Sequence, residues 1–234
     1  MFTSDLAATA VFGRFGRGWK DNYDIEINPT SFTEGGAGRV IFPEEETGRL
    51  FSYTGTSPNG SMTFSNSSLD YFLGDILTKN SDGTFQYRYK NGLIMQFNSS
   101  GVLSELVDRN GNTTSLSYTG GNLTQITDAV GRSITLTYIT DKGHAVVSSA
   151  TDPIGRTWNY AYTDANVVSG CQLASVTDPL SFSERYGYNL FALTSITDRR
   201  GNVAKSITYD TNGRVISEAM RFKPPFNGGW VAKW

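Results

Sequence analysis

The sequence predicts an all-β protein: one continuous antiparallel sheet of repeated β-hairpins. Three observations carry this. Five segments of the second half align as a repeat, each with an Asp and a closing Tyr and four of them with a Gly three residues after the Asp. Within those segments apolar and polar residues alternate with period two, the mark of a strand with one buried face. The chain is also rich in Thr, Ser, Asn and Gly, with hydrophobic residues at 38% and aromatics at 13% of its 234 residues. Such a composition suits turns, wet strand faces and pleated half-buried surfaces.

The repeat reads LSELVDRNGNTTSLSY, LTQITDAVGRSITLTY, VSSATDPIGRTWNYAY, LASVTDPLSFSERYGY and LTSITDRRGNVAKSITY. Its aspartates are Asp108, Asp128, Asp152, Asp178 and Asp198, so successive copies lie 20, 24, 26 and 20 residues apart. The extra residues belong in loops. Gly111, Gly131, Gly155 and Gly201 follow their aspartates by three positions, and Ser181 takes that place in the fourth copy. Asp210 and Gly213 give a further turn of the same spacing. Tyr118, Tyr138, Tyr162, Tyr188 and Tyr209 close the units.

Asp at the first position and Gly at the fourth is the preference of a type I turn. The aspartate side chain accepts from backbone N–H groups ahead of it. Gly supplies the left-handed residue that completes a bulged hairpin. After the turn, Ile134, Leu136 and Tyr138 fall on one face and Ser133, Thr135 and Thr137 on the other. Trp158, Tyr160 and Tyr162 likewise oppose Thr157, Asn159 and Ala161. Before the turn, LTQIT spaces Leu123 and Ile126 three apart, which puts them on opposite faces unless a bulge intervenes. A lone hairpin is marginal in water, so the copies must pair into one sheet.

The first hundred residues are less regular but strand-like. NYDIEINP alternates up to Pro29, and GRVIFPEEETGRLFSYTG holds two short strands around the acidic turn Glu44–Glu46. Phe85, Tyr87 and Tyr89 alternate with Gln86, Arg88 and Lys90, and Asn91-Gly92 reads as a two-residue tight turn. Residues 68–77 read as a short helix, and FGRFGRG as irregular chain without the strand-to-helix setting of a phosphate loop. The expected organisation is a strand-rich segment over 1–100, hairpin repeats over 101–217 and an irregular tail over 218–234, where Pro224-Pro225 excludes a central strand.

Several classes are disfavoured. The net charge is −2 with no Lys/Arg run, so the electrostatic footprint of a nucleic-acid binder is missing. No apolar run reaches the length needed to span a bilayer, so membrane insertion is not expected. The N-terminus lacks the basic and apolar regions of a signal peptide. One cysteine, Cys171, excludes an internal disulfide and a Cys-rich zinc site, and one histidine, His144, would need carboxylates or carbonyls to complete a metal site, which disfavours one. No cofactor is expected.

The repeated TDxxGR at Thr127–Arg132 and Thr151–Arg156, each followed by a strand and a Tyr, resembles the Rhs/YD-repeat family. YDTNGRV, Tyr209–Val215, is similar to the core that names the repeat, and FGRGWKDNYDIEI, Phe15–Ile27, to the segment that opens the repeat region. The resemblance spans residues 13–216. It implies a spiral, cocoon-like sheet wound into a hollow shell, of which this chain would be a truncated N-terminal part. In bacterial Rhs and insecticidal toxin proteins such a shell encases a C-terminal toxic domain, and in animal teneurins it supports adhesion at the cell surface. The implied partners are the rest of a longer shell protein or an encased toxin domain, with carbohydrate as a second candidate. The implied location is secreted or at the cell surface.

The repeated aspartates admit a reading as a carboxylate array for cations or sugars. Their fixed offset from Gly, with freely varying residues between, favours turn capping. Catalysis needs one special carboxylate pair rather than a copy at every turn. His144 reads as an exposed loop histidine with no nucleophile motif nearby, and Cys171 as a buried or half-buried free thiol. A catalytic pairing of the two has nothing else behind it. The aromatic alternation reads as sheet packing, with Trp158 the candidate carbohydrate contact. A non-catalytic structural module therefore ranks first, a carbohydrate-binding or adhesion module second and an enzyme third.

Overall fold

The computed structural model describes residues 12–43, 48–66, 74–163, 171–221 and 231–233, the last stretch as backbone only. The described residues are all strand and turn, apart from a 3-10 turn at Pro29–Ser31. The chain divides into two compact units, residues 21–134 and residues 1–20 with 135–234. The first two strands, β1 (Phe12–Gly13) and β2 (Gly16–Arg17), form a small antiparallel hairpin of the second unit. FGRFGRG, read from sequence as irregular, is this hairpin.

In the unit over 21–134, strands follow one another as an antiparallel meander. They are β3 (Glu26–Ile27), β4 (Ala37–Ile41), β5 (Arg49–Thr56), β6 (Met62–Asn66), β7 (Ile76–Lys79), β8 (Phe85–Arg88), β9 (Ile94–Phe97), β10 (Leu103–Val107), β11 (Thr113–Thr119) and β12 (Asn122–Thr127). Phe32, Val40, Phe51, Phe64, Leu77, Phe85 and Tyr87 are fully buried in it. Phe32 meets Phe64 and Phe85 edge to face, an arrangement worth about 0.5–1.5 kcal/mol beyond the buried area. Residues 76 and 77 of the expected short helix belong to β7, and residues 68–73 lie outside the described ones. So do Glu44–Glu46.

One polar cluster interrupts this core. Arg49 Nη1 donates to the Tyr87 hydroxyl at 2.9 Å, which donates to Asp75 Oδ2 at 2.6 Å, and Asp75 Oδ1 accepts from the Lys90 N–H at 2.9 Å. The Arg49 guanidinium lies 3.9 Å over the Phe42 ring. Buried charges are tolerated only when paired and hydrogen-bonded in this way. Burial, and then the bond to Asp75, push the Tyr87 phenol above its usual range, so it remains a neutral donor.

The second unit holds β13 (Ser133–Asp141), β14 (His144–Thr151), β15 (Thr157–Thr163), β16 (Gln172–Thr177), β17 (Ser183–Asn189), β18 (Ala192–Thr197), β19 (Val203–Tyr209), β20 (Val215–Met220) and β21 (Val231–Lys233). Each pairs antiparallel with the next. The stretch 218–234, read as an irregular tail, thus holds the end of β20 and all of β21, with residues 222–230 outside the described ones.

The hairpins share one turn. At ten places among the described residues, the first turn residue donates its N–H to the carbonyl four residues on (2.8–3.0 Å) and accepts from the N–H three residues on (2.9–3.1 Å). The turns begin at Ser57, Asn80, Tyr89, Asn98, Asp108, Asp128, Asp152, Asp178, Asp198 and Asp210. The fourth residue has positive φ in every one, 79–92° for the glycines and 67° for Ser181. This is a three-residue loop closed by a left-handed residue. Asn91-Gly92 belongs to it: only Gly92 has positive φ, so the two-residue tight turn read from the Asn-Gly pair does not form.

A second device recurs at the other end of the hairpins. In five hairpins one extra residue is inserted in the strand before the turn: Ser104, Thr124, Ser148, Ala174 and Thr194 have no partner opposite. This bulge places Leu123 (1% exposed) in the core although Ile126 is three positions on. The residue just before the bulge is buried in most copies: Leu103, Leu123, Val147, Leu173 and Leu193. The closing tyrosine reaches its carbonyl from the next strand. Tyr118 donates to Leu103 O, Tyr162 to Val147 O, Tyr188 to Leu173 O and Tyr209 to Leu193 O, all at 2.7–2.8 Å.

Two stability outcomes follow. Tyr118→Phe deletes one such bond and should cost about 1 kcal/mol in urea unfolding; no measurable loss would remove the hydroxyl from the account. Gly131 and Gly101 sit at equivalent turn positions, but an added Cβ meets nothing within 4 Å at Gly131 and comes 2.0 Å from the Ile27 carbonyl oxygen at Gly101. Gly131→Ala should therefore cost about 1–2 kcal/mol, the left-handed penalty alone. Gly101→Ala should cost clearly more, and equal losses would refute the distinction.

Candidate functional site

The repeated carboxylates sit in the turns and are engaged by their own backbone. Asp128 Oδ1 accepts from the Val130 and Arg132 N–H groups at 3.0 and 2.9 Å. Asp108, Asp152, Asp178, Asp198 and Asp210 each accept from the corresponding pair two and four residues on. In two of the copies with arginine at the fifth position the other oxygen is taken too: Asp128 by Arg132 and Asp152 by Arg156, both at 2.7 Å. In the first three turns the acceptor shifts by two positions, so Asn59, Asp82 and Asn91 receive the N–H of Ser61, Thr84 and Leu93. That shift hides these turns from a search for Asp-x-x-Gly, though Gly at the fourth place remains legible.

Hydrogen bonding holds several carboxyls below their usual range. The Asn112 side chain does this at Asp108, the Arg132 N–H at Asp128 and the Asn202 N–H at Asp198. At Asp152 desolvation opposes the shift, but Arg156 and the turn amides outweigh it. These aspartates are spread along the sheet, one per hairpin. Among the described residues no group of three or more His, Cys, Asp or Glu is placed to hold a metal.

His144 and Cys171 each have a contact of their own. His144 opens β14 rather than standing in an exposed loop, half-buried, its ring stacked on Phe12 at 4.0 Å and 6°. The stacking partner comes from the hairpin of β1 and β2, which no local pattern around His144 reveals. Cys171 is fully buried, and its thiol donates to the Asp141 carbonyl at 2.9 Å.

That N-terminal hairpin lies along the aromatic face of the second unit. The Val147 N–H donates to Arg14 O and the Arg17 N–H to Cys171 O, both at 2.8 Å. Phe15 packs on Tyr160 at 5.0 Å, and Trp19 meets Tyr186 edge-on at 4.8 Å while its Nε1 donates to the Tyr188 hydroxyl at 2.9 Å. Arg17 is buried under the Phe191 ring at 3.8 Å. Gly16 has φ 93°, and a Cβ there would come 2.3 Å from Cys171 O, so only glycine permits this approach.

Beside the hairpin the same face opens into a groove of about 740 Å³. Trp158, Tyr160, Val176, Leu180, Phe182 and Tyr186 supply its apolar wall. Arg156, Arg199, Asp178, Glu184 and Asp198 supply its charges. Leu180 is 74% and Phe182 50% exposed. Arg199 is ion-paired with Asp178 and lies over the Phe182 ring, and Arg156 lies over Trp158 at 5.7 Å. Tyr186 donates to Glu184, and burial, then that carboxylate, push its phenol above the usual range. Of the residues read from sequence, the structure brings Trp158, Asp178 and Asp198 into this groove, together with Phe182 and Leu180, which the repeat pattern did not single out.

No protein-family model matches the chain, and no curated protein matches it. Solved structures with some likeness include the Photorhabdus luminescens Tc holotoxin pore (15% identity, TM-score 0.40, covering 79% of this chain and 11% of that one). The TcdB2-TccC3-Cdc42 crystal structure gives 18% identity, TM-score 0.39 and the same coverages. TcdB2-TccC3-TEV gives 14%, 0.26 and coverages of 80% and 13%. The chain therefore spans about a tenth of the length of these proteins. Likenesses of this strength carry neither a family nor an activity to this chain.

The lowered aspartates set a pH dependence. A carboxyl whose folded pKa lies below its unfolded value of 3.8 contributes stability above that value. The contribution is lost as pH falls through the lowered folded pKa. Unfolding free energies of the wild type and Asp128→Asn should therefore converge as pH falls from 5 to 2. A constant gap would show that the ionised carboxylate is not what the turn amides favour.

Proposed function

We propose that this chain is a non-catalytic wall segment of a larger hollow β-shell of the Rhs/YD-repeat kind, in which a second polypeptide, such as a C-terminal toxin domain, is enclosed. One observation carries the reading. The second unit has a Ser/Thr-rich face and an aromatic face, and among the described residues the aromatic face is partly covered by the chain's own N-terminal hairpin and partly open as the groove. A sheet that meets water on one side and holds polypeptide on the other suits a wall. The repeated carboxylates are engaged in turns, which supports a non-catalytic role. Location outside the cell or at its surface follows from the same reading.

A second reading, carbohydrate binding at a cell surface, rests on the half-buried Trp158 ring in a groove that also carries Asp178 and Glu184. An intact-mass measurement of the native product decides the first reading: a mass well above that of residues 1–234, with a protease-protected polypeptide, is expected. A free 234-residue product with hydrolytic activity abolished by His144→Ala would overturn it. For the second reading, a glycan screen should show saturable binding that Trp158→Ala abolishes.

A further inference from the structure

Tyr160 and Tyr186 each have two neighbours on one face. They receive Phe15 and Trp19 of the N-terminal hairpin, and they line the open groove beside it. The groove thus continues a surface that already holds a hairpin of the chain. From this we infer that it is a docking site for a segment of a partner polypeptide bearing aromatic and arginine side chains. The inference rests on the shell reading for the source of the segment, not for the groove.

The chemistry of the occupant is read from its neighbour. Over the adjoining stretch the face accepts the tandem Phe-Gly-Arg of residues 12–17, ring on ring, with two main-chain hydrogen bonds and one arginine laid on an aromatic ring. Ring stacking of this kind is an efficient anchor for an extended chain. In the groove, Trp158, Phe182 and Leu180 offer further apolar anchors. Its carboxylates outnumber its arginines, and Glu184 is exposed with the Tyr186 hydroxyl on it, so a cation is favoured there. An oligosaccharide fits less well. The hydroxyl and amide side chains suited to its hydroxyls, Thr157, Asn159, Ser175, Thr177 and Ser183, alternate onto the opposite face.

The test uses the 234-residue chain and a fluorescein-labelled peptide, Phe-Gly-Arg-Phe-Gly-Arg-Gly-Trp, with a counterpart carrying Glu for both Arg. Anisotropy should show saturable binding, at least tenfold weaker for the acidic peptide and at least tenfold weaker in Phe182→Ala. Phe182 is half exposed, so that variant should fold, and Thr157→Ala on the other face should bind as the wild type does. Four outcomes overturn the inference: no saturation; equal affinity for both peptides; indifference to Phe182→Ala; or binding that rises in Trp19→Ala without depending on Phe182, which would mean the peptide merely replaces the hairpin. Saturable binding of cellohexaose that depends on Phe182, with no peptide binding, overturns it in favour of carbohydrate. A negative peptide result removes the groove and leaves the shell reading to the intact-mass measurement.

Discussion

The bond from a closing tyrosine hydroxyl to the carbonyl just before a β-bulge holds the repeat together. The bulge disrupts its local ladder and turns the strand more sharply. A phenol from the adjacent strand supplies the donor, as Tyr162 does for Val147 and Tyr188 for Leu173. The tyrosine also faces the next bulge, since Tyr162 stands opposite Leu173 and Tyr188 opposite Leu193. Each hairpin is thereby indexed to the one before and the one after. Variable loops are then tolerated, because register is set at the bulge rather than by the spacing between copies. Burial pushes the phenols of Tyr162 and Tyr188 above their ordinary range, which keeps them neutral donors.

The turns solve a different problem. An aspartate aimed at two backbone N–H groups stabilises a three-residue loop without help from the rest of the sheet. The loop is therefore free to carry any residue at its tip. Three successive tips carry Val130, Ile154 and Leu180 at 74–76% exposure, where a turn alone would favour polar residues. Leu180 is put to use as one wall of the groove. Ser181 shows how strongly the loop demands its geometry, since it takes a left-handed conformation without being glycine.

The two faces of the second unit divide its properties. On the Ser/Thr face, paired hydroxyls such as Thr151 and Thr157 bond to one another across strands. The aromatic face is satisfied in part by the N-terminal hairpin, whose Phe12, Phe15 and Trp19 land on rings far along the chain. What the hairpin leaves uncovered is the groove. The unit over 21–134 instead closes its own core around Phe and Tyr rings and one buried Arg49–Tyr87–Asp75 cluster.

The sequence alone determined the all-β class and the hairpin connectivity. Period-two alternation and the turn chemistry of Asp and Gly act over a few residues, so they are legible without a fold. It left open whether LTQIT bulges, because a bulge is defined by the partner strand. It misread FGRFGRG as irregular and His144 as an exposed loop residue, because both take their structure from contacts more than a hundred residues apart in sequence, as between Phe12 and His144. It marked Trp158 but not Phe182 or Leu180, because a groove needs several strands and two turns at once. Local stereochemistry decided that this chain is a run of hairpins. Only tertiary packing, which pairs distant side chains, decided which part of the resulting sheet stays open.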